Sequence, residues 1–342
     1  MLWLHHGSPG QDTPGKLVTG LRRLTHAEEF LQSVGATTDS DGSYELGLKR
    51  KAYDTRREGP NAVFVAEERS LAGQQECLEL FLDYLPKRFP ELYQLSGSGS
   101  ELKIHVKHTG EVHWVADYSA RPLELCGRIA QEDLCLVRSL SDDEGRESDP
   151  AGNQHVMTAA AVVFSFADLV GKLGQPLKII HAPVPGYEKD MAKMLNRTFS
   201  AIDPAEPLWR NNWGIFDSGD LEPSYGTAEL LSKAQQYMPA HERWLKVEYE
   251  TLRRLPKSKT ILFTIKGFAS PTTDLATVPN AAACLAESLK GMSQAMRTYK
   301  GVPDPKQQEE MLQFLAEMSA KADGPAGPTF KLGKSGITAV AR

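Results

Sequence analysis

The chain has 342 residues, a net charge of −5, and 41% hydrophobic against 24% charged residues. That length buries a substantial core, in one large domain or two modest ones, and the composition is that of a soluble globular protein. The acidic balance argues against a nucleic-acid partner, which calls for a basic surplus or stripe, and leaves small neutral or cationic substrates open.

The opening MLWLHHGSPGQDTPG lacks a basic region followed by an apolar one, so it does not read as a secretory signal. Residues 1–16 are expected to be a mobile terminus and the chain to be cytoplasmic. Apolar residues recur at helical spacing over Leu21–Ser33 and Tyr44–Arg56. Ser70–Tyr93 reads as a strong amphipathic helix ended by Pro86 and Pro90. Leu102–Asp117 alternates in period two around Thr109-Gly110, the pattern of a hairpin. Glu132–Leu140 reads as a strand and Ser141–Gln154 as a solvated loop.

HVMTAAAVVFSF, from His155, is a predicted strand, and MTAAAVVFSFADLVG is too short and interrupted to cross a bilayer. PLKIIH is read as a strand running into His181, YEKDMAKMLNRTF as a helix, and LWRNNWGIFD as a strand. HERWLKVEYETLRRLP is read as a helix stopped by Pro256, and KTILFTIKGF as a strand. Helices are expected at Val278–Lys290 and Pro305–Ala320. Helices at both ends and strands between favour an α+β fold with a mainly antiparallel sheet. The expected organisation is one domain over residues 17–320 and a loose tail over 321–342.

The four cysteines, Cys77, Cys126, Cys135 and Cys284, form no CxxC, which disfavours a disulfide scaffold, zinc ribbon or iron–sulfur cluster. No phosphate loop, strand-linked GxGxxG, GxSxG elbow or HExxH helix occurs. His105, His108 and His113 lie on the predicted hairpin, where exposed histidines are commonplace. His155 and His181 are the histidines set beside apolar segments.

Six segments resemble one family in the same order: LDYLPKRFPELY (Leu82–Tyr93), EDLCLV (Glu132–Val137), GKLGQPLKIIHAPVPGYEK (Gly171–Lys189), WRNNWGIFD (Trp209–Asp217), VEYETLRRLPKSKTILFTIKGF (Val247–Phe268) and TYKG (Thr298–Gly301). The resemblance, over roughly Gly20–Gly301, is to the heme-dependent oxidative N-demethylase alpha-subunit-like family, especially its fungal members. It implies a PAS-like α+β fold holding one heme b, and oxygen-dependent removal of a methyl group from a small secondary amine. Electrons would come from a nicotinamide cofactor through separate flavin and iron–sulfur components, so an external reductase and O2 join the small-molecule substrate as expected partners.

On that resemblance His181 is the expected axial ligand of the iron, its ring held by the prolines after it; His155 is the rival, and a core role the bland alternative. Arg210, Arg253, Arg254 and Lys266 are candidate partners of the heme propionates, although Arg253 and Arg254 also suit a helix end. Arg210 and Glu250 are the candidate catalytic residues. Glu250 stands where the family usually has glutamine, and either faces the pocket, holding an amine or a proton, or pairs with Arg254 at i, i+4 on a surface. Tyr187 and Trp213 are candidate pocket walls or core. FSF at Phe164–Phe166 and KGF at Lys266–Phe268 depart from the family's pattern, which leaves the substrate open. A heme-binding sensor or carrier, or a biosynthetic heme enzyme acting on another metabolite, are the alternatives.

Overall fold

Leu245, Val247, Tyr249 and Thr251 are buried while Lys246 and Glu248 between them keep partial exposure, a period of two that belongs to a strand. In the structure, a computed structural model, this segment is the eleven-residue strand Trp244–Arg254. The predicted helix there is corrected: the charged, helix-forming composition is overridden by pairing with a strand on each side. The structure describes residues 21–24, 31, 42–140, 154–166, 168–221, 237–278, 280–322, 329–333 and 336–340.

In chain order the elements are β1 (Arg22–Arg23), α1 (Ser43–Thr55), β2 (Phe64–Ala66), α2 (Leu71–Arg88), β3 (Tyr93–Ser96), β4 (Lys103–Val106), β5 (Glu111–Trp114), α3 (Pro122–Ile129), β6 (Asp133–Ser139) and β7 (His155–Ala161). There follow α4 (Leu169–Lys172), α5 (Leu177–Ile180), a π-helical turn (Tyr187–Met191), α6 (Ala192–Ala201), β8 (Leu208–Phe216), β9 (Trp244–Arg254) and β10 (Ile261–Pro271). The chain ends with α7 (Ala281–Lys290), α8 (Gln294–Tyr299), α9 (Pro305–Ala322), β11 (Thr329–Gly333) and β12 (Gly336–Val340).

The fold is α+β. Seven strands form one sheet in the order β1-β8-β9-β10-β6-β7-β2, with every neighbouring pair antiparallel. The predicted hairpin forms as β4 and β5, which join β3 in a smaller sheet. Two further expectations are corrected. PLKIIH is a helical turn, α5, because a four-residue apolar run has no period that separates strand from helix. Arg22–Arg23 pairs with β8 as a strand rather than opening a helix. Beyond residue 322 the described residues form the antiparallel pair β11–β12. Pro86 sits inside the last turn of α2 rather than ending it; the helix stops after Arg88. Residues 1–16 and most of the loop expected at 141–154 lie outside the described residues.

Each face of the large sheet has its own cover. One face packs Leu134, Leu136, Tyr249 and Leu262 against helical residues such as Leu46, Phe81, Leu123, Leu285 and Leu315 in the main core. Phe81 and Leu123 are wholly buried, and truncating such a residue costs about 2–5 kcal/mol. The other face packs Val137, Leu252 and Ile261 against Leu177, Phe199 and Ile202 of the 169–202 segment. Asp133 ties the sheet to the turn after β7. Its carboxylate accepts from the backbone N–H of Val163 (2.9 Å), Phe164 (2.8 Å) and Ser165 (2.7 Å) and from the Ser165 hydroxyl (2.8 Å). The Lys49 ammonium stands 3.4 Å away, both side chains fully buried.

Candidate functional site

Strand register assembles a charged row beneath the 169–202 cover. Arg210 of β8 is directly opposite Glu250 of β9, and Asn212 opposite Glu248; directly opposed residues project to the same face. Arg210 Nε donates to Glu250 Oε2 at 2.5 Å and its terminal nitrogen to Oε1 at 3.4 Å. Glu250 is 4% exposed and Arg210 26% at the side chain. The Asn212 amide donates to Glu248 Oε2 at 2.7 Å, and Lys300 donates to Asn212 Oδ1 at 2.6 Å. Burial, followed by the charge of Glu250, pushes the Glu248 carboxyl up to about 7. Burial pulls Lys300 down to about 8, and the Glu250 carboxylate raises Arg210. The i, i+4 surface pair of Glu250 with Arg254 is thus corrected.

His181 enters from the cover. Its backbone N–H donates to the Leu177 carbonyl at 2.9 Å, and its ring Nδ1 lies 2.8 Å from the same oxygen. A carbonyl can only accept, so Nδ1 carries the proton and Nε2 presents its lone pair. Nε2 has no hydrogen-bond partner among the described residues. The ring stacks on Tyr187, centroids 4.7 Å apart and planes 7° apart. Gly186, at φ 76°, makes the left-handed turn that brings Tyr187 back under it. Burial lowers the His181 pKa, the Leu177 bond offsets part of this, and the charges of Arg210 and Glu250 both reach the ring. The Tyr187 hydroxyl is buried without a hydrogen-bond partner among the described residues, and burial raises it to about 12.

His155 is placed differently. It is wholly buried, its Nδ1 is 3.0 Å from Asn196 Oδ1, and its ring meets Phe199 edge-on at 5.4 Å. It braces β7 against α6.

The remaining candidates do not join the His181 group. Register turns Trp213, paired with Val247, and Lys266, paired with Tyr249, to the main-core face. Lys266 donates to Gln131 Oε1, and burial lowers it to about 8 despite the nearby Glu132 and Glu45. Arg253 shares that face by alternation and is lowered by burial. Arg254 binds backbone carbonyls, Ile202 at 3.0 Å, Phe199 at 2.5 Å and Lys259 at 2.9 Å, and so closes the end of α6. No group of three or more His, Cys, Asp or Glu able to hold a metal occurs among the described residues, the hairpin histidines included. Sequence reading missed Asn212, Glu248 and Lys300; the alternation Lys246-Val247-Glu248-Tyr249-Glu250 was the available signal.

Two features bear on a bound cofactor. Among the described residues, an added Cβ on Gly267 meets no atom within 4 Å, and the buried Tyr187 hydroxyl has no hydrogen-bond partner. The donor set suits a heme: one neutral imidazole with a free ring nitrogen, and a guanidinium on the same side.

Fold and site together define an antiparallel-sheet α+β protein in which the Arg210 and Glu250 charges of one sheet face reach the His181 imidazole. The family model described as haem-dependent oxidative N-demethylase, alpha subunit-like, matches residues 36–308. The chain belongs to that family. A search among curated proteins finds no match. No helix among the described residues is long and apolar enough to cross a membrane.

Proposed function

We propose that this chain is a cytoplasmic heme-dependent oxidoreductase with a PAS-like fold that removes a methyl group from a small amine. The observation that carries the reading is the state of His181: neutral, tethered through Nδ1 to Leu177, with Nε2 unpartnered among the described residues and the charges of Arg210 and Glu250 reaching the ring. Bound heme b would supply oxygen binding and oxidation of the C–H bond beside nitrogen. The sum is methylated amine, O2, two electrons and two protons giving the shorter amine, formaldehyde and water. The electrons come from a separate reductase.

The chain's own residues divide the remaining work. His181 would hold the iron through Nε2, and Tyr187 stacks on its ring and fixes the ring's plane. Arg210, fixed by Glu250, offers a guanidinium edge to a propionate. Glu250 holds that guanidinium in place through both carboxylate oxygens. Glu248, at about 7, gives up or takes a proton near neutral pH.

The absorption spectrum of the purified protein tests the reading. A Soret band is expected, lost or shifted in His181→Ala and retained in His155→Ala. A heme-free protein, or an unchanged His181→Ala spectrum, overturns it. Formaldehyde release from methylated amines with a surrogate reductase separates the demethylase from a heme sensor, which binds gases without turnover.

A further inference from the structure

Past Ile265 the sheet changes character. β6 begins at Asp133, opposite Ile265, so from Lys266 onward β10 keeps β9 on one side and has lost β6 on the other. A small solvent-open cleft of about 50 Å³ lies there, and Lys246, Glu248, Gly267, Phe268, Phe164 and Ser165 are among its walls.

Register orders the charges. Lys246, Glu248 and Glu250 share one face of β9, opposite Ala269, Gly267 and Ile265 respectively. The floor between Lys246 and Glu248 is made of two small residues, and none of the described residues lies within 4 Å of a Cβ built on Gly267. Alternate strand positions stand about 7 Å apart, and no ion pair joins Lys246 to Glu248 among the described residues. Lys246 donates to the Asp220 carbonyl, which uses one of its three donors. Glu248 spends Oε2 on Asn212, and its Oε1 accepts nothing among the described residues. Burial disfavours the charged form of both, lowering Lys246 and raising Glu248. Asp217 and Asp220 lie near Lys246, and Lys300 and Arg210 near Glu248, but a ligand carrying both charges engages the donors of Lys246 and the oxygen of Glu248 that no described residue takes up.

We propose that this cleft binds an N-methylated amino acid, with its carboxylate on Lys246 and its secondary ammonium on Glu248. The order of charges sets the direction: the methylated nitrogen lies toward Glu250 and His181, the carboxylate away from them. Phe268 and Phe164 bound the space left for the side chain. The inference rests on the proposed function, because it names the substrate class of that site.

Calorimetric titration of the purified protein at pH 8 tests it, with N-methyl-L-alanine compared against N-methylethylamine, which lacks the carboxylate. The amino acid is expected to bind about tenfold more tightly or better. Lys246→Met, at a partly exposed side chain, is expected to erase that preference and leave the simple amine's affinity unchanged. Gly267→Val is expected to block both ligands while the unfolding temperature holds. Equal binding of the two ligands, a preference that survives Lys246→Met, or undiminished binding to Gly267→Val overturns the inference. Heme content of the same samples is scored separately: heme present without binding sinks the substrate assignment alone, and heme absent sinks the oxidoreductase reading.

Discussion

Arg210 and Glu250 meet across β8 and β9 as a two-point ion pair in which the acid is almost wholly buried and the base is a quarter exposed. The asymmetry gives an ordered prediction. Arg210→Ala leaves a buried carboxylate without its cation and is expected to cost roughly 2–4 kcal/mol. Glu250→Ala leaves a guanidinium that reaches water and is expected to cost less, about 1–2 kcal/mol. Urea denaturation of the two variants checks the order, and a larger loss in Glu250→Ala contradicts it.

Asp133 is expected to be among the most sensitive polar positions. Asp133→Asn weakens a carboxylate that gathers four hydrogen bonds and leaves the buried Lys49 with Glu132 alone of its two acidic neighbours. The expected loss is about 3–5 kcal/mol. A denaturation midpoint within 1 kcal/mol of wild type, as a rough bound on surface-like behaviour, would show that the turn at 163–165 holds without it.

Glu248 makes stability depend on pH near neutrality. Its folded pKa of about 7 lies above the ordinary 4.5, so the folded state binds its proton more tightly than the unfolded chain. The stability this gives is complete below 4.5 and is lost as pH rises through 7. Glu248→Gln is expected to flatten the decline between those values and to gain on the order of 1–2 kcal/mol at pH 8, allowing for partial exposure. Unfolding temperatures measured across that range give the slopes; identical slopes in the two proteins sink the assignment.

Arg254 holds the cover to the sheet through three backbone carbonyls, two of them at the end of α6. Arg254→Met is expected to cost roughly 1–2 kcal/mol and to speed amide exchange over residues 192–202 relative to β6 and β7. Exchange that quickens uniformly throughout would mean that the bond stabilises the whole domain rather than the cover.

Much of the architecture was legible where period and length agreed. Leu71–Arg88, the hairpin about Thr109-Gly110 and the strand Ile261–Pro271 all show enough repeats to declare their type. β9 failed because its alternation is written in Leu, Lys, Glu and Arg, good helix formers, and because Glu250 and Arg254 stand at a tempting i, i+4 spacing. The segment before His181 failed for the opposite reason, having too few residues to show a period. The stiffness around His181 could be read from Pro183, Pro185 and Gly186. Which charges reach it could not, since Arg210 and Glu250 converge only through the register of β8 on β9. That same register carries Trp213 and Lys266 to the far side of the sheet.

The bond from His181 Nδ1 runs to Leu177, four residues back in its own helical turn, and the ring beneath it is Tyr187, six residues ahead. Aim and target are therefore separately editable. Substitutions on the sheet change what the imidazole looks at without changing where it points, so new chemistries are open to this scaffold while one short splint of backbone stays as it is.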